Sequence, residues 1–400
     1  MMKSNFIHNL KFTLFGQSHD DKIGIIIENI PSNHLIDFNE VNKELMLRQG
    51  NEIFNTPRQE KIKYDIVSGF SEVNKDNQAI TINEPIKVFF VNEDVKNTDY
   101  DNVLKHPRPG HVDYVASMKY QEAHTIAGGG HFSGRMTLPL VFLGAICQQI
   151  LFDYYPNMSI LSHINSFASY KDIGYYDLRK FLVEKIVPSN VGDYTNIHLK
   201  LLATKLKDNL HKILLNGIKN NNFPTFNKET YEKMYKAAQN IENDSLGGQI
   251  ETIVINPPAF IGEPFFYSFE SVLSGLLYSI PGIKDVAFGN HEEFKNNFGS
   301  KVKDEIIYLD NKKLTTFYNN NGGINGGITN GEDIVYSTIV KPIASISQPQ
   351  LTYSIEDKKL SNLEITGRHD KTIINRIIPV INAMAYITIF DLCFEDINQK

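Results

Sequence analysis

Cysteine is scarce. Cys147 and Cys393 are the two in 400 residues, far apart and without CxxC or Cys/His spacing, which argues against a disulfide framework or a zinc site and fits a reducing cytoplasm. No run of roughly 18 or more consecutive apolar residues occurs, and Met1 to Leu10 carries Lys3 but no apolar h-region, so no membrane span or secretory leader is expected. Positive charge is not in excess either: the formal net charge is -6 and the pI about 6.1. With no basic stripe interleaved with aromatics, nucleic acid and anionic membrane are excluded as general partners. Clustered arginines must then serve a local anion, which makes a small molecule the expected ligand. Internal repeats, low-complexity tracts and a Pro/Ser linker are also missing. The 42% hydrophobic content is ample for one core, so a single domain over 1–400 is expected.

Chemistry concentrates in two stretches, Arg108-Pro-Gly-His-Val-Asp-Tyr114 and Gly128-Gly-Gly-His-Phe-Ser-Gly-Arg135. Arg108 is a rigid fork for an anionic oxygen and His111 a proton carrier near neutral pH. Pro109 and Gly110 force a turn that can aim both at one point. The three glycines let the backbone approach a flat or phosphorylated ligand, with Ser133 and Arg135 beyond them to hydrogen-bond it. Either half alone reads more readily as a solvated surface loop; together they read as a site. A second glycine-rich region, Gly322-Gly-Ile-Asn-Gly-Gly-Ile-Thr-Asn-Gly331, leads to Lys341-Pro-Ile-Ala-Ser345. It matches neither a Walker A loop nor a GxGxxG turn, so an Asn/Gly loop is its default reading. Gly367-Arg-His-Asp370 places a cation, a proton carrier and a carboxylate in one turn, which equally describes a salt-bridged corner.

Along the chain, Phe12 to Phe15 and Ile23 to Ile27 read as strands flanking a loop with Ser18 and His19, and Phe38 to Gln49 as a helix with Arg48 in its last turn. Ile66 to Phe70, Ile80 to Ile82 and Ile86 to Val91 read as an antiparallel meander. Met136 to Tyr155 reads as a buried helix whose fully apolar core is too short for a bilayer. Residues 205–245 turn to Lys, Asn and Glu and read as a polar helical, solvated insertion. Gln249 to Ile255 and Ile334 to Val340 read as strands. Phe269 to Ser279 and Ile373 to Phe394 read as helices, the latter despite Pro379.

Taken in order, Phe15-Gly-Gln-Ser-His19, the two stretches above, Asp244-Ser-Leu-Gly-Gly248, the repeated Gly-Gly-Ile, Lys341-Pro and Gly367-Arg-His-Asp370 resemble the chorismate synthase family from about residue 10 to about residue 390. The resemblance implies an α/β sandwich with helices between antiparallel β-sheets, a cytoplasmic homotetramer, and reduced FMN as cofactor, with NADPH as its possible reductant. It implies a lyase of aromatic amino acid biosynthesis: 1,4-elimination of phosphate and a C6 proton from 5-enolpyruvylshikimate 3-phosphate, giving chorismate without net oxidation. By the same resemblance His19 protonates the departing phosphate, His111 serves the reduced flavin at N1, and Asp370 removes the C6 proton with flavin N5. Ser18, Arg48, Arg58, Arg108, Arg135 and Arg368 fall at substrate-anchoring positions. Ser133, Gly326, Lys341, Pro342, Ile343, Ala344, Ser345 and Arg368 fall in flavin-binding segments. A metal is not implied.

The departures thin the cationic shell. Asp20 stands where the family has Gly, and a carboxylate beside His19 favours the protonated ring while repelling phosphate. Leu47 replaces an arginine, Asn51 to Thr56 contains none, His131 replaces the arginine after the glycines, Asn320 stands near a usual His, and Asn382 near a usual Glu. Two alternatives stay open: a related flavin-assisted elimination on a different cyclic anion, or a flavin- or metabolite-binding protein without turnover.

Overall fold

Lys22–Glu28 buries Ile23, Ile25 and Ile27 completely, and such β-branched side chains suit a pleated surface pressed against a core. Gly24 interrupts the run for a reason the sequence does not state. The Phe15 ring of the neighbouring strand lies across it, so that a Cβ at Gly24 would meet Phe15 Cζ at 2.3 Å. The computed structural model describes residues 4–50, 62–92, 105–121, 127–187, 196–218, 223–309, 314–365 and 369–398. Its first sheet comprises β1 (Asn5–Ile7), β2 (Lys11–Phe15), β3 (Lys22–Glu28), β4 (Tyr64–Ser68) and β5 (Ile86–Val91) in the order β1-β2-β3-β5-β4. The second comprises β6 (Ser159–Phe167), β7 (Tyr170–Lys171), β8 (Gly248–Ile255), β9 (Ile283–Phe288) and β10 (Ile334–Val340) in the order β9-β10-β8-β6-β7. Every pairing in both is antiparallel.

Helices fill the space between the sheets, as expected. α1 (Phe38–Leu47) packs on α3 (Leu138–Tyr154), which lies against β3; α8 (Ile374–Leu392) lies against β6 and β8, and α7 (Phe269–Ser279) against β9. α3 and α8 are apolar nearly all round, which is the pattern of a helix covered on every side. They pack so closely that a Cβ at Gly144 would lie 2.4 Å from Ala383 Cβ. Gly134–Tyr154 does reach the length and hydropathy of a membrane span, contrary to the sequence expectation, but 72% of that window is buried inside the protein. Its apolar side chains stabilise this core, at roughly 1.5–3 kcal/mol for each fully buried Leu or Ile.

Four further helices of eight residues or more are α2 (Asp113–Tyr120), α4 (Tyr175–Ile186), α5 (Asn196–Gly217) and α6 (Lys228–Gln239). The stretch read as a solvated insertion carries buried faces: Leu206, Leu210 and Leu214 of α5 join Tyr175 and Leu182 of α4 in a second apolar cluster, and α6 buries Met234 and Ala238. The expected meander is interrupted. Tyr64–Ser68 pairs with β5, but Gln78–Ile80 leaves that sheet to pair with Leu35–Asp37. There Gln78 Nε2 donates to Asp37 Oδ2 at 3.4 Å while Asp37 caps α1 by accepting from Asn39 N at 2.8 Å. The short strand therefore docks a helix start instead of extending a sheet.

Candidate active site

The functional stretches all lie at the ends of core elements: the loop after β2, the segment before α2, the turn before α3, the start of β8, the end of β10 and the approach to α8. Fixed elements thus aim short loops at one another. Ser18 N donates to Gly130 O at 3.2 Å, and Arg135 Nη1 donates to Ser18 O at 3.0 Å, which locks the Ser18–His19 loop to the glycine turn. Within the loop Ser18 Oγ lies 2.9 Å from His19 Nδ1. Asp20, the acidic departure beside it, is exposed.

Gly129 and Gly130 have φ of 86° and 55°, a left-handed backbone that favours glycine. A Cβ at Gly129 would lie 3.9 Å from His111 Cε1 and Nε2, so the His111 ring faces this turn. Arg108 binds Asp113 as a fork: Nε donates to Oδ2 at 2.7 Å and Nη2 to Oδ1 at 2.7 Å, while Nη1 donates to Ser345 Oγ at 2.8 Å. His111 Nδ1 lies 2.5 Å from Asp113 Oδ1. Burial alone would raise the Asp113 pKa, but the donors of Arg108 and His111 overcome it and hold the carboxyl well below the usual range. Arg108 is buried and serves this cluster, a different placement from the ligand-facing fork that its sequence setting suggests. A bidentate guanidinium–carboxylate pair satisfies both partners, which makes it a rigid scaffold.

Lys341 Nζ donates to Gly110 O at 2.6 Å, tying the end of β10 to the same turn. Desolvation, helped by Lys284, lowers the Lys341 pKa. Ile343 O accepts from Ser245 Oγ at 2.8 Å, Ala344 O from Gln350 Nε2 at 3.4 Å, and Pro342 N lies 3.0 Å from where a Gly247 Cβ would stand. Leu246 N then donates to Lys371 O at 2.9 Å, next to Asp370. Asp370 Oδ2 accepts from Arg376 Nη1 at 3.1 Å, and Arg376 Nε donates to Arg48 O at 3.4 Å. Arg48 in turn donates to Gly134 O at 2.7 Å and Thr137 Oγ1 at 2.9 Å. It stands at the C-cap of α1, one residue beyond the helix. These contacts form a circuit that links the segments of His19, His111 and Asp370, remote in sequence.

Ser133 Oγ in this circuit accepts from Arg135 N at 3.3 Å, capping the turn before α3. Gly326 takes no part in the circuit. It is exposed and shares a hairpin turn with the buried Gly327, both at positive φ, and the hairpin is held by Phe269 N donating to Gly327 O at 2.9 Å. Arg58 and Arg368 lie outside the described residues. Sequence reasoning assigned no role to Asp113 or Arg376. A carboxylate two residues after His111 across a Pro-Gly turn was a usable signal for the first; nothing local announced the second.

The departures have structural partners. His131 Nδ1 donates to Gly16 O at 2.9 Å and its Nε2 lies 2.6 Å from Ser4 Oγ, so it clasps the chain that leads into the Ser18 loop. Asn382 Oδ1 accepts from Ser162 Oγ at 2.6 Å, and Asn320 Oδ1 from Asn290 Nδ2 at 2.9 Å. Among the described residues no group of three or more His, Cys, Asp or Glu could hold a metal ion.

A family model described as chorismate synthase matches residues 10–394. The chain is 32% identical over 386 residues to a chorismate synthase of Methanococcus aeolicus, covering 96% of this chain and 95% of that protein. It is 33% identical over 389 residues to one of Methanocaldococcus jannaschii, covering 96% of this chain and 94% of the relative. A solved structure described as a crystal structure of chorismate synthase matches with a TM-score of 0.64 at 23% identity, covering 98% of this chain and 93% of the other. That last likeness establishes the shared fold.

Proposed function

Since the chain belongs to the chorismate synthase family, a family of lyases, we propose that it forms chorismate from 5-enolpyruvylshikimate 3-phosphate with reduced FMN. The observation that supports this reading is the contact circuit that links the three distant segments carrying His19, His111 and Asp370. The residues present suit a flat anionic cofactor. A Cβ at Gly110 would meet no heavy atom within 4 Å, leaving open backbone next to His111, and Ser133, Lys341, Ser345 and the 342–344 backbone, which belong to the same contact network, would hold ring edges and phosphate. When bound, reduced FMN would supply electron density to the reacting ring without net oxidation.

The protein's own groups account for the rest of the balance. The C–O bond to phosphate breaks, the C6–H bond breaks, and a new ring double bond forms. His19 donates a proton to the leaving phosphate, Asp370 handles the C6 proton, and His111 holds a proton next to the cofactor. Arg48, Arg135 and Ser18 would anchor the substrate's anionic groups. Two buried unpaired cysteines support a cytoplasmic setting. The exposed aromatics Phe260, Phe265 and Phe266, each more than three-quarters exposed, would offer assembly surface for a homotetramer. NADPH would act as flavin reductant if the protein reduces its own cofactor.

An anaerobic assay with chemically reduced FMN tests the reading. Phosphate and chorismate should appear in equal amounts; folded protein that binds FMN and releases no phosphate would overturn it. The engagement of Arg108 with Asp113 favours one second reading, a sister substrate with fewer anionic groups. Weaker binding of the shikimate ester than of an analogue lacking one carboxylate would support that.

A further inference from the structure

Asp113 lies second after His111 and opens α2, with 1% of its surface exposed. Its two oxygens face different donors. Oδ2 accepts from Arg108 N at 3.0 Å and from Arg108 Nε at 2.7 Å, while Oδ1 accepts from Arg108 Nη2 at 2.7 Å and lies 2.5 Å from His111 Nδ1. An ionised carboxylate accepts and cannot donate. At this separation a bare Nδ1 would set one lone pair against another, so the ring must present an N–H to Oδ1. Arg108 Nη2 also lies 2.9 Å from His111 Nδ1. With Nδ1 protonated, that distance is a meeting of two donors on one shared oxygen and not a hydrogen bond.

We infer that Asp113 is the positioning residue of His111: it fixes the neutral ring in its Nδ1–H form and turns a bare Nε2 toward the Gly129 face. Nε2 is the ring nitrogen 3.9 Å from the place of a Gly129 Cβ, so it is the atom through which the ring takes up and returns a proton. Arg108 acts one step further back, holding the carboxylate that holds the ring, with Ser345 bracing its far nitrogen. The importance of this for turnover rests on the lyase reading above, whereas the tautomer itself does not.

The test is nitrogen NMR on the full chain labelled with 15N-histidine, with His111→Gln identifying the resonances of this ring. In the wild type, above the ring's own titration, Nδ1 should read as proton-bearing and Nε2 as bare. Asp113→Asn should reverse this. Because two Arg108 donors meet at Oδ2, the amide oxygen must occupy that side, which places the amide N–H against Nδ1 and moves the ring proton to Nε2. In the anaerobic assay the same variant should lose kcat by a factor on the order of 10² while the KM for substrate changes little. A bare Nδ1 in the wild type, an unaltered ring signature in Asp113→Asn, or an unchanged kcat would overturn the inference. If the variant does not fold, the wild-type spectrum alone decides the tautomer. An inactive wild type with an Nδ1–H ring would sink the lyase reading and spare the tautomer. An active wild type with the opposite tautomer would do the reverse.

Discussion

Arg376 Nη1 donates to Asp370 Oδ2 at 3.1 Å, and through Nε the same guanidinium reaches the Arg48 carbonyl at 3.4 Å. One side chain at the start of α8 thus joins the proposed proton acceptor to the cap of α1. Arg376→Lys keeps the charge but loses the two-armed geometry. Its kcat should fall roughly tenfold, about 1.4 kcal/mol of barrier, with FMN binding unchanged. Arg376→Gln should fall further. Steady-state kinetics on both variants, with circular dichroism as the folding control, check this; unchanged kcat in both rejects a positioning role for Arg376.

The α3–α8 crossing gives a stability prediction with an unusual sign. Alanine is the better helix former by about 1 kcal/mol, yet a Cβ at Gly144 would stand 2.4 Å from Ala383 Cβ. Overpacking costs typically 1–3 kcal/mol. Gly144→Ala should therefore be destabilised in urea unfolding by up to about 2 kcal/mol, and a stabilised variant would show that the helices are not in contact there.

His131 should matter to binding more than to chemistry. It clasps Gly16 O, two residues before Ser18, and Ser4 Oγ. His131→Ala should cost about 1–3 kcal/mol for the partners left unsatisfied and raise the substrate KM more than it lowers kcat. A kcat loss at constant KM would contradict the clasp.

His163 is fully buried, with Nε2 2.9 Å from Glu251 Oε2 and Nδ1 3.5 Å from Asp172 Oδ2. Burial lowers its pKa, but the neighbouring carboxylates of Asp172 and Glu251 outweigh burial and the net shift is upward. A raised folded pKa contributes stability that is fully present below the unfolded value, about 6.5, and is lost as pH rises through the folded value. Unfolding free energy should thus decline above about pH 6.5. His163→Gln should flatten that slope, and an identical slope in both proteins rules the group out. Asp113 and the fully buried Asp333 have the opposite sign. Burial pushes against both carboxylates, and the donors of Arg108 and His111 on Asp113, and of His211 on Asp333, carry each pKa down. Their contribution is present above about pH 4 and is lost as pH falls through their lowered values.

Much of the layered fold is legible in the sequence because its elements obey one-dimensional rules. α3 is apolar all round, so it is central. The β-branched run of β3 marks a buried strand, and Pro379 is absorbed by a long apolar helix. Gln78–Ile80 was not legible, because the partner of a three-residue strand is set by what it docks against, here the cap of α1. The site residues were found as types in motifs, but not their duties. Arg108 and Asp113 satisfy each other across the Pro109–Gly110 turn, and a string of letters shows that an arginine is present without showing which way its fork is turned. Arg376 lies six residues past Asp370, a spacing with meaning only once the approach to α8 folds back.

The most direct measurement is a crystal structure soaked with oxidised FMN and 5-enolpyruvylshikimate 3-phosphate. The account predicts both ligands in one cleft, the flavin ring against the Gly129 face of His111, the ester phosphate at His19, and the Asp370 carboxylate within reach of C6. Ligands bound away from these side chains, or His19, His111 and Asp370 facing separate surfaces, would contradict it.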